Sequence, residues 1–71
     1  MEDHSILLII RSHENDIQIE KHFIPELARF REDLVQILRS MMDKGQTRIT
    51  DAELNSITAK LVELHENNLP A

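Results

Sequence analysis

The stretch that decides the fold runs from Ile24 to Leu69 and reads IPELARFREDLVQILRSMMDKGQTRITDAELNSITAKLVELHENNL. It contains Gly45, the single glycine of the chain, just after a long run of apolar residues at helical spacing. Glycine adopts positive φ without steric cost, so a glycine in this place is typical of a helix end. The pattern therefore predicts a helix from about Pro25 to Lys44.

The segment Thr50-Asp51-Ala52-Glu53 is a capping-box motif and predicts the start of a second helix. In such a capping box the threonine hydroxyl accepts the Glu53 amide, while the Glu53 carboxylate accepts the Thr50 amide. Ile49, which precedes the cap, is placed to pack on Leu54 as a hydrophobic staple. The helix is expected over about 51–67 and should stop in the Asn67-Asn68-Leu69-Pro70 segment, so residues 24–69 form an antiparallel helical hairpin.

The two helices differ in the width of their apolar faces. The first helix has two apolar rows, one of them interrupted by an arginine: Leu27, Phe30, Leu34, Ile37 and Met41, then Ala28, Arg31, Val35, Leu38 and Met42. The second helix has one: Leu54, Ile57, Leu61 and Leu64. The apolar row of the second helix can cover only one of the two rows of the first helix. Each large side chain of the other row that stays in water loses about 1.5 to 3 kcal/mol of burial free energy.

Something else must therefore cover the second row of the first helix. Either the N-terminal segment folds over it, or a second copy of the hairpin does, and we expect both to contribute to a dimeric helical bundle. The predicted interface consists of residues on or beside this row: Ala28, Arg31, Val35, Leu38, Met41 and Met42. The methionine pair also suits a groove for the helix of a partner protein, because methionine adapts to irregular surfaces.

The N-terminal segment, residues 1–23, is open to two interpretations. The favoured one is a helix broken near Ser12 to Asp16, where Asn15 or Asp16 would cap a new start. The alternative is a β-hairpin, in which the short apolar run Ile6–Ile10 and the alternating segment 17–20 are strands. In either case residues 1–71 are predicted to form one small helical domain.

Composition limits the function. The chain has 71 residues, no cysteine and a formal net charge of −5. Disulfides are therefore excluded, and a phosphate-binding basic face is not expected. The only apolar run near the N-terminus, Ile6–Ile10, is too short for a signal peptide core or a membrane span, so the expected location is the cytoplasm.

Neither a metal site nor a catalytic site is predicted. His4, His13 and His22 are spaced nine residues apart, so they cannot converge from one helix, and no His-x3-His pair occurs. The chain also lacks a phosphate-binding glycine loop and a recognisable nucleophile motif. We therefore expect a non-catalytic protein without a cofactor.

A helix-turn-helix regulator that associates with nucleic acid is the alternative function, because two helices joined at a glycine turn share its outline. Its recognition helix would begin with Asp51 and Glu53, whose carboxylates would face the phosphates. The connection after the first helix is also longer than the usual turn of that motif.

The run from Glu32 to Gly45, followed by Ile49-Thr50 at the start of another helix, resembles small enteric regulators of biofilm formation and acid resistance. The resemblance implies an all-α dimer that acts on a regulatory pathway by protein contact, with DNA binding sometimes proposed. The chain departs from that family in its Ile6–Ile10 run, which has no obvious counterpart there, and in ending at Ala71. The sequence thus predicts a small homodimeric regulator or adaptor that binds a partner protein.

Overall fold

A computed structural model of the chain describes residues 3–67. The elements are two short strands and three helices, in the order β1 (Asp3–Ser5), α1 (Ile6–Phe23), α2 (Pro25–Asp43), β2 (Arg48–Thr50) and α3 (Asp51–Asn67). The molecule is therefore mostly helical, and the predicted bounds of the two hairpin helices agree with those of α2 and α3 to within a residue. Of the predicted stop segment Asn67-Asn68-Leu69-Pro70, all but Asn67 lies outside the described residues.

The helix α1 confirms the prediction that the N-terminal segment is helical. It is continuous, however, so the predicted break near Ser12 to Asp16 is wrong, and so is the alternative β-hairpin with strands over Ile6–Ile10 and 17–20. Ile6, Ile10 and Ile17 lie on one face of this helix and are all buried. An unbroken helix keeps these three side chains on the same face. The free energy gained by burying them outweighs the weak local preference of Asn15 or Asp16 for capping a new helix.

The N-terminus and the connection before α3 form a small antiparallel sheet that the sequence did not indicate. His4 pairs with Ile49 at the centre of a three-residue register. The backbone N–H of Ile6 also donates to the carbonyl of Thr47 at 3.0 Å. Because Ile6 and Ile49 are almost fully buried, the sheet is fixed to the core at the point where α1 begins.

The predicted helix end at Gly45 is confirmed. Gly45 has φ +97°, its N–H donates to the Met42 carbonyl at 2.9 Å, and the Gln46 N–H donates to the Met41 carbonyl at 3.1 Å. These two bonds are those of a Schellman motif, which satisfies the last carbonyls of a helix.

The capping box at the start of α3 is confirmed as well. The Glu53 N–H donates to the Thr50 hydroxyl at 3.2 Å, and the Thr50 N–H donates to the Glu53 carboxylate at 3.3 Å. Ile49 and Leu54 belong to the same core cluster, as expected of a hydrophobic staple.

The helix α2 packs against both α1 and α3 and contributes more buried residues than any other element. Its second apolar row packs against α1, so that Ala28, Val35 and Leu38 are 3%, 6% and 0% exposed within one chain. The first of the two expected coverings is therefore present. A second copy is not needed to bury this row, which removes the packing argument for a dimer.

Candidate functional site: an apolar groove between α2 and α3

An open apolar groove lies where α2 begins and α3 ends. It has a volume of about 570 Å³. Its lining is mainly apolar and aromatic: Ile24, Leu27, Phe30, Val62 and His65, with Glu26 and Glu66 beside them. In size and composition it resembles the pockets in which proteins bind small ligands or single side chains, roughly 300 to 1,000 Å³.

The groove is open because the apolar row of α3 does not stay in contact with α2 to its end. Leu61 is buried, but Leu64 is 56% exposed, so the expectation that Leu64 would continue the buried row is wrong. His65 is half-buried in its place. The last turn of α3 thus presents a small polar ring to α2 instead of a leucine, and Val62 on the flank is left 39% exposed.

His65 forms the inner wall of the groove. Its ring meets Phe30 edge to face, with centroids 5.3 Å apart, and its Nε2 donates to the Asp33 carboxylate at 2.8 Å. Both contacts join the last turn of α3 to α2. The imidazole is therefore held in one orientation and forms a preformed surface.

The outer end of the groove is formed by the bend between α1 and α2. Ile24 has φ −136° and ψ 76°, outside the helical range, and Pro25 occupies the first turn of α2. Proline disfavours the helical conformation in the residue before it, so the chain bends there. Ile24 is left 49% exposed on the groove, and the neighbouring Phe23 is 78% exposed.

The rim of the groove is acidic. Glu26 and Glu66 are exposed, and neither forms an ion pair within residues 3–67. The lining contains no lysine or arginine. The site is thus an apolar floor between two carboxylates.

A separate polar cluster joins α1 and α2 around Arg31. Its Nε donates to Glu20 at 2.5 Å, its Nη1 donates to Nδ1 of His13 at 2.7 Å, and Asp16 lies at 3.4 Å. Burial, and then the nearby Arg31 cation, lower the pKa of His13 below its usual 6.5. Because the Arg31 guanidinium can only donate, Nδ1 of His13 accepts, and the cluster joins α1 to α2.

None of the six predicted interface residues lines the groove. Ala28, Val35 and Leu38 are core, and Arg31 is paired with α1 inside the same chain. Met41 and Met42 are half-buried near the other end of α2. The groove between α2 and α3 therefore lies away from the predicted interface.

Part of the groove was visible in the sequence. Phe23 and Ile24 are adjacent large apolar residues directly before a proline, where the chain must bend and cannot bury both. The role of His65 had no such signal, because its position depends on how α3 rotates against α2.

Two other kinds of site are not found in the described part of the chain. No group of three or more His, Asp or Glu side chains within residues 3–67 is arranged to hold a metal ion. None of the three helices is both long enough and apolar enough to cross a membrane.

Comparisons with protein-family models, curated proteins and solved structures find no match to the chain. The resemblance to the enteric regulators therefore stays an interpretation of residues 32–50.

Proposed function

We propose that this protein is a small, non-catalytic interaction module, a regulator or adaptor that binds a helix of a partner protein in the groove between α2 and α3. The observation that carries the proposal is the groove itself, an apolar floor of about 570 Å³ that the chain leaves open to solvent. Ile24 and Val62 lie at its two sides and are half exposed.

Helix-in-groove binding is a common way to use such a surface, with two or three apolar anchors of the ligand helix at helical spacing. Burial of one large apolar side chain contributes about 1.5 to 3 kcal/mol. Two anchors therefore supply about 3 to 6 kcal/mol, against which the cost of association must be set, so we expect weak binding to which the newly covered faces of Ile24 and Val62 also contribute.

Self-association stays a prediction. The sequence predicted a dimer because the second apolar row of α2 needed a cover. In the structure α1 provides that cover. A dimer would now have to use the exposed residues at the groove or on the outer face of α1.

The charge distribution does not favour nucleic acid as the partner. Arg31, Arg39 and Arg48 are paired with Glu20, Glu14 and Asp3 at 2.5, 2.5 and 2.9 Å. Both acids at the start of α3, Asp51 and Glu53, are exposed. A helix-turn-helix reader would have to bring those carboxylates to the DNA backbone.

Two matched variants test the proposal. Val62→Glu places a carboxylate in the groove, whereas Leu64→Glu places the same group on the other flank of α3, at a position that is at least as exposed. The probe is an uncharged synthetic amphipathic helix with leucine anchors, about 16 residues long so that it forms a helix on binding.

The peptide should shift backbone amide signals in NMR spectra around residues 23–30 and 61–67. Its affinity should fall at least tenfold for Val62→Glu and less than twofold for Leu64→Glu. Signals shifted only on the outer face of α1, or equal losses in the two variants, would contradict the groove as the binding surface.

A further inference from the structure

We infer that the groove selects a cationic amphipathic helix, one whose apolar anchors are flanked by lysine or arginine. This inference rests on the proposed function, since it names the partner chemistry of the same surface. The observation behind it is the pairing of an apolar floor with a rim that carries charge of only one sign.

The two rim carboxylates lie on different helices. Glu26 is in the first turn of α2 and Glu66 is near the end of α3, so they flank the floor from its two sides. A helix seated on Leu27, Phe30 and Val62 would therefore meet an acid on each flank. Lysines placed beside the anchors could reach both acids, because a lysine stem covers apolar surface while its ammonium group stays in water.

Within residues 3–67, neither Glu26 nor Glu66 forms an ion pair. Asp33, the third acid nearby, is held by His65 through its 2.8 Å contact, and no lysine or arginine lines the groove. An approaching anionic helix would be repelled, and like charges across an interface suppress wrong partners more effectively than matched charges strengthen right ones.

A second copy of the chain fits this surface poorly. Its apolar residues Ile19 and Phe23 are exposed and spaced four residues apart, as helix anchors should be. Seating them in the groove would, however, bring together at Glu26 and Glu66 two chains that each carry a net charge of −5. The charges thus favour a different, basic partner over self-association.

Three synthetic helices that differ only in their flanking residues test the inference. All three have the same leucine anchors, and the flanking positions hold lysine, glutamine or glutamate. Calorimetry at low and at physiological salt gives the affinity of each. An exposed ion pair changes an equilibrium constant by about two- to fivefold, so two rim contacts should make the lysine peptide bind about tenfold tighter than the glutamine peptide. The glutamate peptide should bind more weakly than either.

Matched double variants distinguish the effect of the rim carboxylates on peptide affinity from the effect of the net charge of the protein. Glu26→Gln with Glu66→Gln removes the rim, whereas Glu32→Gln with Glu63→Gln removes one exposed acid from each of the same two helices outside the groove. Both pairs change the net charge by the same amount. The first pair should abolish the preference for the lysine peptide and leave the glutamine peptide unaffected, and the second should retain most of that preference.

The possible failures are distinguishable. If no peptide binds at millimolar concentration, the proposed function fails. If the glutamine and lysine peptides bind equally well, or if the two double variants weaken the lysine peptide equally, the groove is used but the inference about charge is wrong. If sedimentation shows a dimer that Val62→Glu converts to a monomer, the groove is occupied by a second copy and the inference is also overturned.

Discussion

The imidazole of His65 lies edge-on to the ring of Phe30, with an interplanar angle of 65° and 5.3 Å between the ring centroids. This contact, with the hydrogen bond from His65 to Asp33, is what holds the end of α3 to the start of α2 once Leu64 has turned to solvent. The groove exists because this attachment uses a flat ring and leaves the space beside Val62 and Ile24 open.

His65→Ala should therefore loosen the end of α3. Loss of the aromatic contact and of one hydrogen bond to a charged group is expected to lower the free energy of unfolding by about 1 to 3 kcal/mol. Urea denaturation followed by circular dichroism measures this loss. His22→Ala is the control, because the His22 side chain is exposed and makes no hydrogen bond within the described residues. Equal stability of the two variants would show that the ring contact contributes nothing.

Leu38→Ala should destabilise the single chain by about 2 to 5 kcal/mol, because Leu38 is fully buried between α1 and α2. The same substitution would also weaken a dimer if this row were an interface. The two cases differ in their dependence on protein concentration. We expect the loss in urea midpoint to be the same at low and high micromolar protein, whereas an interface residue would give a midpoint that rises with concentration.

Gly45→Ala should lower the free energy of unfolding by about 1 kcal/mol. A Cβ at this position meets no atom within 4 Å, so the cost comes from φ +97°, which alanine adopts reluctantly. Gly45→Asn should cost less, because asparagine tolerates this conformation better. Thermal unfolding of both variants gives the comparison, and a larger loss for asparagine would argue against backbone strain as the cause.

The pH dependence of stability should carry a contribution from His13. Because the folded state lowers the pKa of His13, the unfolded state takes up a proton more readily near pH 6.5. The contribution is complete above pH 6.5 and is lost as the pH falls towards the lowered pKa of the folded state. The drop in urea midpoint between neutral pH and about pH 5 should be smaller in His13→Gln than in the wild type. An unchanged drop would place the pH sensitivity elsewhere.

The helical hairpin could be predicted because its ends are set by local chemistry. Gly45 ends one helix through positive φ and Thr50 with Glu53 begins the next, and neither signal depends on distant residues. The bounds of α2 and α3 followed from these two positions and from Pro25.

The remainder depended on contacts between residues far apart in sequence. The pairing of His4 with Ile49 joins positions that no local pattern relates. The continuity of α1 was decided by its packing on α2, which outweighed the capping preference of Asn15 and Asp16. The groove depended on the rotation of α3, which determined whether Leu64 or His65 would face the core.

The short sheet described above has a consequence for how the domain moves. It fixes the start of α1 to the start of α3, near the end of α2. The groove lies towards the opposite end of α2, a helix of 19 residues that is about 28 Å long. Amide hydrogens of the buried α1 and α2 turns around Ile10 and Leu38 should exchange slowest with deuterium, and those in the last turn of α3 faster. A ligand that wedges Val62 away from Leu27 would therefore spread the helices at their free ends and leave the sheet intact.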